Sequence, residues 1–194
     1  NELKLAGSAE GFGGDVGSED GINALITEMK LRTHKLDILM NNAGRTWGAP
    51  LGTFPYPAWE KVMSLNVAGM FHLTQALIEM LSSSGTSDDP SRVVNVGSVM
   101  GEIPMGDGAY SYAMSKSAVH QMTRILAKEL ANQNITVNAL APGPFQSGMT
   151  KFAIGDDNGS ERVGKRVPTN RIGRPEDIAA CILFLCGYGG SFVT

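Results

Sequence analysis

Tyr112 and Lys116 stand four residues apart, a short way after Ser98, which closes a β-branched run. On a helix, residues at i and i+4 share one face with Cβ atoms roughly 6 Å apart. A free tyrosine, with a pKa of about 10, is a poor acid or base at neutral pH. A nearby cation favours the phenolate, and proton transfer works best when the pKa is near the working pH. Lowering a phenol by roughly 2–3 pH units takes about 3–4 kcal/mol. One partly buried lysine, helped by a bound positive ring, supplies much of that. A serine hydroxyl facing the pair holds a substrate oxygen. Tyr-x-x-x-Lys alone is short and also describes two ordinary residues of an amphipathic helix, so the surroundings decide.

Those surroundings alternate. Residues 93–96 read as a strand ending at Gly97-Ser98, and after a loop carrying Gly101, Pro104, Gly106 and Gly108 a helical pattern opens near Tyr110. Upstream, 36–40 is a compact apolar run ending in Asn41-Asn42-Ala43-Gly44, as a parallel strand buried on both faces would. Its small residues either admit a ligand to the backbone or form a plain turn. The stretch GFGGDVG misses G-x-G-x-x-G because Val16 takes the last glycine's slot; it predicts a loop feeding a short strand that ends at Asp15-Val16. Ser18 then caps a helix over 19–31. After Pro55 and Pro57, 58–81 predicts one long helix, apolar around much of its circumference and so buried against both a core and a subunit interface. Asn66 lies inside it and must find hydrogen-bond partners. Residues 82–91 are a polar surface loop, and 134–140 a strand ending in Ala141-Pro142-Gly143-Pro144. The long stretch 145–171 reads as a lid or binding loop. Arg174-Pro175-Glu176-Asp177 opens a last helix, to about residue 185, that buries Ile178, Cys181, Ile182, Leu183 and Leu185. Residues 191–194 look like the start of another strand. Such alternation predicts a single α/β domain over 1–194, a parallel sheet with helices on both faces, with ligands at the carboxyl ends of the strands.

Composition narrows the function. The chain has 194 residues, 42% apolar and 18% charged, with a net charge of −3. Nothing basic points to nucleic acid or to anionic lipid. No apolar run reaches membrane-spanning length. Cys181 and Cys186 suit neither a disulfide nor a metal pair and read as reduced core thiols, in keeping with a cytoplasmic setting. No His, Cys or carboxylate cluster has ligand spacing, so no metal is expected. His72 and His120 read as packing or surface residues.

Taken together, Asp15-Val16, Asn41-Asn42-Ala43-Gly44, Asn66, Asn95-Val96-Gly97-Ser98, Tyr112 with Lys116, Pro142-Gly143 and Arg174-Pro175-Glu176-Asp177 resemble the short-chain dehydrogenase/reductase family in order and spacing over essentially the whole chain. The resemblance implies a doubly wound, Rossmann-like sheet and an NAD(P)-dependent oxidoreductase. In that family's terms Tyr112 is the acid/base, and Lys116 lowers its pKa and holds the nicotinamide ribose. Ser98 orients the substrate carbonyl, and Asn66 anchors a water feeding protons to Lys116. Asp15 and Val16 flank the adenine, and Asn42, Ala43 and Gly44 line the cofactor cleft with Pro142 and Gly143. The backbone of Phe145 meets the nicotinamide amide, and Ser147 replaces a usual threonine beside the pyrophosphate. Tyr110 is a decoy, since Met114 follows it by four. Finer features resemble bacterial 3-ketoacyl reductases, especially the rhamnolipid-associated type: Asn41-Asn42-Ala43-Gly44-Arg45-Thr46-Trp47-Gly48-Ala49, Trp59 to Met63, the polar loop 82–91 and Pro142 to Thr150. These imply reduction of a 3-oxoacyl thioester with NADPH, NADH not being excluded, by a homotetramer or homodimer. Met100, Ile103, Met105, Met149 and Phe152 line an acyl pocket or merely pack a lid. A sugar, polyol or steroid dehydrogenase is an alternative, as is a catalytically silent cofactor-binding scaffold. The family's T-G-x-x-x-G-x-G loop has no match here, and the last strand stops after Thr194. Against a one-domain fold of about 250 residues, roughly 50 residues of a first strand–helix unit and some 15–20 of the last strand are expected beyond this stretch.

Overall fold

A computed structural model describes residues 8–105, 108–150, 154–155 and 157–194. Three strands, β1 (Ile38–Asn41), β2 (Ser91–Val96) and β3 (Ile135–Leu140), form one parallel sheet in the order β1-β2-β3. Its register pairs Asn41 with Asn95 and Val93 with Val137. Helix α1 (Glu19–Arg32) precedes β1; α2 (Tyr56–Met63) and α3 (Met70–Ser82) link β1 to β2; α4 (Tyr110–Leu130) links β2 to β3; α5 (Asp157–Gly164) and α6 (Pro175–Cys186) follow. Neighbouring side chains of a strand point to opposite faces. Val93 therefore packs in one cluster with Ile22 and Ile26 of α1, Leu77 and Leu81 of α3, and Leu126 and Leu130 of α4. Val94 packs on the other face with Leu140, Leu185 and the inner residues of α6. Each such buried aliphatic side chain contributes about 1.5–3 kcal/mol. Helices thus cover both faces of a Rossmann-like sheet, and all three strands point their carboxyl ends the same way.

Four expectations need correction. Residues 8–15 form no strand. Gly11, Gly13 and Gly14 offer no side chain to pack, and Phe12 stays 40% exposed beneath the Arg32 guanidinium. The carboxylate of Asp15 instead accepts the Gly17 N–H (2.8 Å) and the Ser18 hydroxyl (2.9 Å), which turns the chain into α1. Residues 191–194 also form no strand, although Val137 N–H donates to Thr194 Oγ1 (3.0 Å) and Asn138 Nδ2 to the Val193 carbonyl (2.7 Å) along the edge of β3. The helix expected over 58–81 begins at Tyr56 and is interrupted by a wider π-type turn, Ser64–Gly69. Finally, Cys181 and Leu183 face outward on α6, because the face that meets the sheet carries Leu185 with Ile178, Ile182 and Cys186 partly buried.

Candidate active site

Ser98 lies two residues past β2 and opens a short 3-10 turn, Val99–Gly101. Its backbone is extended, and its Oγ accepts the Met100 N–H at 3.2 Å. The hydroxyl proton stays available to a second acceptor. From the neighbouring strand tip, the Pro142 carbonyl accepts the Val99 N–H (3.0 Å), which fixes the turn against the end of β3.

The first turns of α4 bring up the other two groups. Lys116 is 4% exposed, and its Nζ donates to the Val96 carbonyl at 2.6 Å, at the tip of β2. The same Nζ stands 5.6 Å from the centre of the half-buried Tyr112 ring. Burial pushes the ammonium down to about 8, because desolvation penalises the charged form. Lys116 is therefore the joint between the strand tip that leads to Ser98 and the helix face that carries Tyr112. Tyr110 points elsewhere, in edge-to-face contact with Phe54 (5.7 Å between centres), which in turn contacts Trp59.

Asn66 sits in the π-type turn and is fully buried. Its Oδ1 accepts the Arg45 N–H, and its Nδ2 donates to the Arg45 carbonyl and to Ser115 Oγ, each at 2.9 Å. The amide thus clamps the chain just after Gly44 onto α4. A Cβ on Gly44 would stand 3.4 Å from Asn66 Oδ1 and 3.7 Å from Lys116 Nζ. Only glycine leaves that space beside both groups. A π-type turn adds a residue to the ladder, often at functional sites, and here it swings Asn66 inward.

The expected cofactor residues fall into two groups on either side of this centre. Val16, Asn42 and Ala43 line one cleft of about 60 Å³ with Met40, Asn41, Leu65, Met70 and Leu73. Asp15 is exposed beside it, and its carboxyl is held below its usual range by the Gly17 N–H first and the Ser18 hydroxyl second. Beyond β3, Gly143 faces open space. The Phe145 ring occupies the place a side chain at Gly173 would need, and its carbonyl accepts the Thr150 hydroxyl (2.6 Å). Ser147 is exposed and exchanges hydrogen bonds with Thr150. Of the acyl-pocket candidates, Ile103 and Met105 are more than half exposed, and Phe152 lies outside the described residues.

Two features escaped the sequence. Asn41 Nδ2 donates to Thr74 Oγ1 and Asn95 Oδ1, and Asn95 Nδ2 donates to Thr123 Oγ1, all at 2.9 Å. This buried chain of amides and hydroxyls ties β1 and β2 to α3 and α4. The other is the place of His120: of packing or surface, packing holds, and the ring is buried under the Ser98 turn. The signal was its position four residues past Lys116, on the stripe that faces the sheet.

Comparison with known proteins identifies the family. The whole chain, residues 1–194, matches the family model described as Enoyl-(Acyl carrier protein) reductase. It is 42% identical over 192 residues to the rhamnolipids biosynthesis 3-oxoacyl-(acyl-carrier-protein) reductase of Pseudomonas aeruginosa, covering 99% of this chain and 75% of that protein. The 3-oxoacyl-(acyl-carrier-protein) reductase FabG of Thermotoga maritima is 35% identical over 98% of this chain and 74% of its own length. The fold matches the Pseudomonas aeruginosa RhlG/NADP active-site complex with a TM-score of 0.95 at 42% identity, over 100% of this chain and 75% of that one. A gluconate 5-dehydrogenase from Burkholderia cenocepacia, in complex with NADP and tartrate, matches with a TM-score of 0.83 at 30% identity, over 93% of this chain and 69% of its own. Matched along its whole length and carrying Ser98, Tyr112 and Lys116 around one strand tip, this chain is an oxidoreductase that belongs to the short-chain dehydrogenase/reductase family.

Proposed function

We propose that the protein reduces a 3-oxoacyl thioester to the 3-hydroxy product with NADPH. The observation that carries this is the placement of Lys116: a buried ammonium bonded to the tip of β2, beside the ring of Tyr112 and two residues from Ser98. Among the described residues the Tyr112 hydroxyl makes no hydrogen bond, so it is free to meet a substrate oxygen. Ser98 donates its hydroxyl proton to the carbonyl oxygen and orients it. Tyr112 donates a proton to that oxygen as negative charge develops there. Lys116 stabilises the phenolate left behind. Asn66 Oδ1 and Lys116 Nζ border one space beside Gly44, within reach of a shared water that returns the proton.

NADPH supplies the hydride when bound. The residues present fit its two ends, the glycine-rich phosphate loop having no match here: the Val16, Asn42 and Ala43 cleft would take the adenine side, with Asp15 at the rim. Gly44 leaves room beside Lys116, which would hold the ribose. Pro142, Gly143 and Phe145 would border the nicotinamide side and Ser147 the pyrophosphate. NADPH over NADH, and the thioester over other ketones, follow the relatives at 35–42% identity and the NADP complex at TM-score 0.95. The exposed Ile103 and Met105 suit an acyl chain better than a sugar.

Replacing Tyr112 by Phe is expected to cut turnover of acetoacetyl thioester by about 10²–10⁴-fold while NADPH still binds. Wild-type turnover in that variant overturns the mechanism. A polyol or gluconate oxidised faster than the thioester is reduced moves the protein to the polyol and sugar-acid dehydrogenases, of which a glycerol dehydrogenase at 34% and a 2-dehydro-3-deoxy-D-gluconate 5-dehydrogenase at 32% identity are relatives. A panel in which no carbonyl or alcohol changes nicotinamide absorbance leaves a silent scaffold. Among the described residues no helix is long and apolar enough to cross a membrane. Exposed Phe71, Met114 and Ile125 on α3 and α4 support pairing of those helices in a homodimer or homotetramer.

A further inference from the structure

Ser98 can orient a carbonyl only if the turn that carries it is fixed, and a buried group outside the Ser–Tyr–Lys set lies directly beneath that turn. His120, one helical turn past Lys116 on α4, is 6% exposed. Its Nε2 faces the Ser98 N–H at 3.4 Å, and its Nδ1 meets Glu102 Oε1 at 2.7 Å. A carboxylate only accepts, so Nδ1 carries the proton and Nε2 keeps its lone pair for Ser98. The two neighbours thereby select one neutral tautomer. The turn is shaped to the ring as well. A Cβ on Gly97 would stand 2.1 Å from His120 Nε2, and one on Gly101 would stand 2.8 Å from its Cε1. The two glycines that bracket Ser98, Val99 and Met100 therefore rest on the imidazole. Ser117 Oγ closes the far side by donating to the Gly101 carbonyl at 2.6 Å.

We propose that His120 is the positioning residue for Ser98, and that Glu102 holds it in the tautomer that accepts the Ser98 N–H. The inference rests on the assignment of Ser98 to the substrate carbonyl. It gives the reductase a second layer in which the imidazole sets the height of the serine backbone, and so of its hydroxyl, above the sheet.

The test uses the full-length protein and initial rates over a range of NADPH and acetoacetyl thioester concentrations. His120→Leu fills the ring's volume without an acceptor, whereas His120→Gln offers an amide oxygen near the place of Nε2. The leucine variant is expected to lose about tenfold in kcat with little change in KM for NADPH, and the glutamine variant to recover most of it. Glu102, whose side chain is 53% exposed, can be removed without threatening the fold. Glu102→Ala is expected to lower kcat by about threefold, which keeps the inference testable even where His120→Leu does not fold. A kcat within about twofold of wild type in His120→Leu, or in Glu102→Ala where His120→Leu does not fold, overturns the proposal, as does equal loss in the leucine and glutamine variants, which marks mere packing. Ser98→Ala separates the two levels: if it retains full turnover, the assignment of Ser98 itself fails, whereas an inactive Ser98→Ala beside a fully active His120→Leu refutes only the role of His120.

Discussion

Two buried polar clusters flank the carboxyl half of β2 and are built on opposite principles. In the first, Asn41, Asn95, Thr74 and Thr123 join end to end. Both protons of Asn41 Nδ2 are used, and the two threonine hydroxyls donate on to the Met70 and Val119 carbonyls of their own helices. In the second, Lys116 makes one hydrogen bond, to the Val96 carbonyl, and the Tyr112 hydroxyl makes none among the described residues. Asn41, Asn95, Thr74, Thr123 and Lys116 are all buried, and Tyr112 is half-buried at the cleft. The difference is unspent hydrogen-bonding capacity. A satisfied network fixes a geometry and cannot react, whereas a desolvated ammonium beside a free phenol is costly to hold and ready for a substrate. Asn66 belongs to both kinds: its amide protons are fully used, but one lone pair of Oδ1 remains open toward Gly44.

The sharpest way to break this contrast is to delete one member of each cluster. Lys116→Met is expected to lower kcat by on the order of 10²–10⁴-fold. It should cost no stability at neutral pH, since a buried charge is replaced by an apolar chain of similar length. Asn95→Ala is expected to do the reverse. It leaves one Asn41 Nδ2 proton without its acceptor, at about 1–3 kcal/mol, and takes from Thr123 Oγ1 the proton it accepts; it should lower the denaturant midpoint while the folded fraction retains near-normal turnover. Steady-state rates and chemical unfolding on both variants check the pair. A Lys116→Met protein that unfolds early, or an Asn95→Ala protein that folds normally but is inactive, would exchange the roles of the two clusters.

The contrast also explains what was legible in the sequence. The alternation of strands and helices, the caps and the Ser98, Tyr112 and Lys116 spacing are local patterns, and they could be read directly. The roles of Asn41 and Asn95 could not, because a ladder between strands 54 residues apart depends on register, which no single segment encodes. The π-type turn at Ser64–Gly69 was hidden for a related reason. It is an irregularity within a continuous helical pattern, and the partners of Asn66, at Arg45 and Ser115, lie 21 and 49 residues away. The strand expected at Asp15 failed because extended residues become a strand only beside a partner.

Lys116 makes a quantitative version of the same test. Its ammonium releases its proton at about 8 in the folded chain, against an ordinary 10.5. Between those values the unfolded chain binds more protons, so stability rises with pH across that window. The cost of burying the charge is fully present below about 8, with a ceiling of about 3 kcal/mol. The cofactor-free protein is therefore expected to gain stability toward alkaline pH, and Lys116→Met to flatten that rise. Urea unfolding at a series of pH values from 7 to 10 reads this directly. Equal slopes in the two proteins would mean that Lys116 is solvated and that the active-site cluster carries no desolvation.

A third polar cluster, open to solvent, supplies the lower bound. Arg171 meets both oxygens of Asp177 at 2.5 and 2.9 Å, and the Arg174 N–H donates to the same carboxylate at 2.8 Å, at the start of α6. The carboxyl lies well below the usual carboxylate range, because of the Arg171 bond first and the Arg174 N–H second. A depressed carboxyl contributes stability above its unfolded value near 4, lost as the pH falls through its folded one. All these side chains are exposed, so screening and side-chain entropy leave little net gain. Asp177→Asn is thus expected to shift the melting temperature by only a degree or two at pH 7, with no change in kcat. Nor should any difference from wild type remain once the pH is low enough to protonate the aspartate. A large loss of activity at neutral pH would show that the fork from 171 to 177 positions residues 145–171 over the cleft. The surface cluster would then have to be counted with Lys116 and Tyr112 rather than set apart from them.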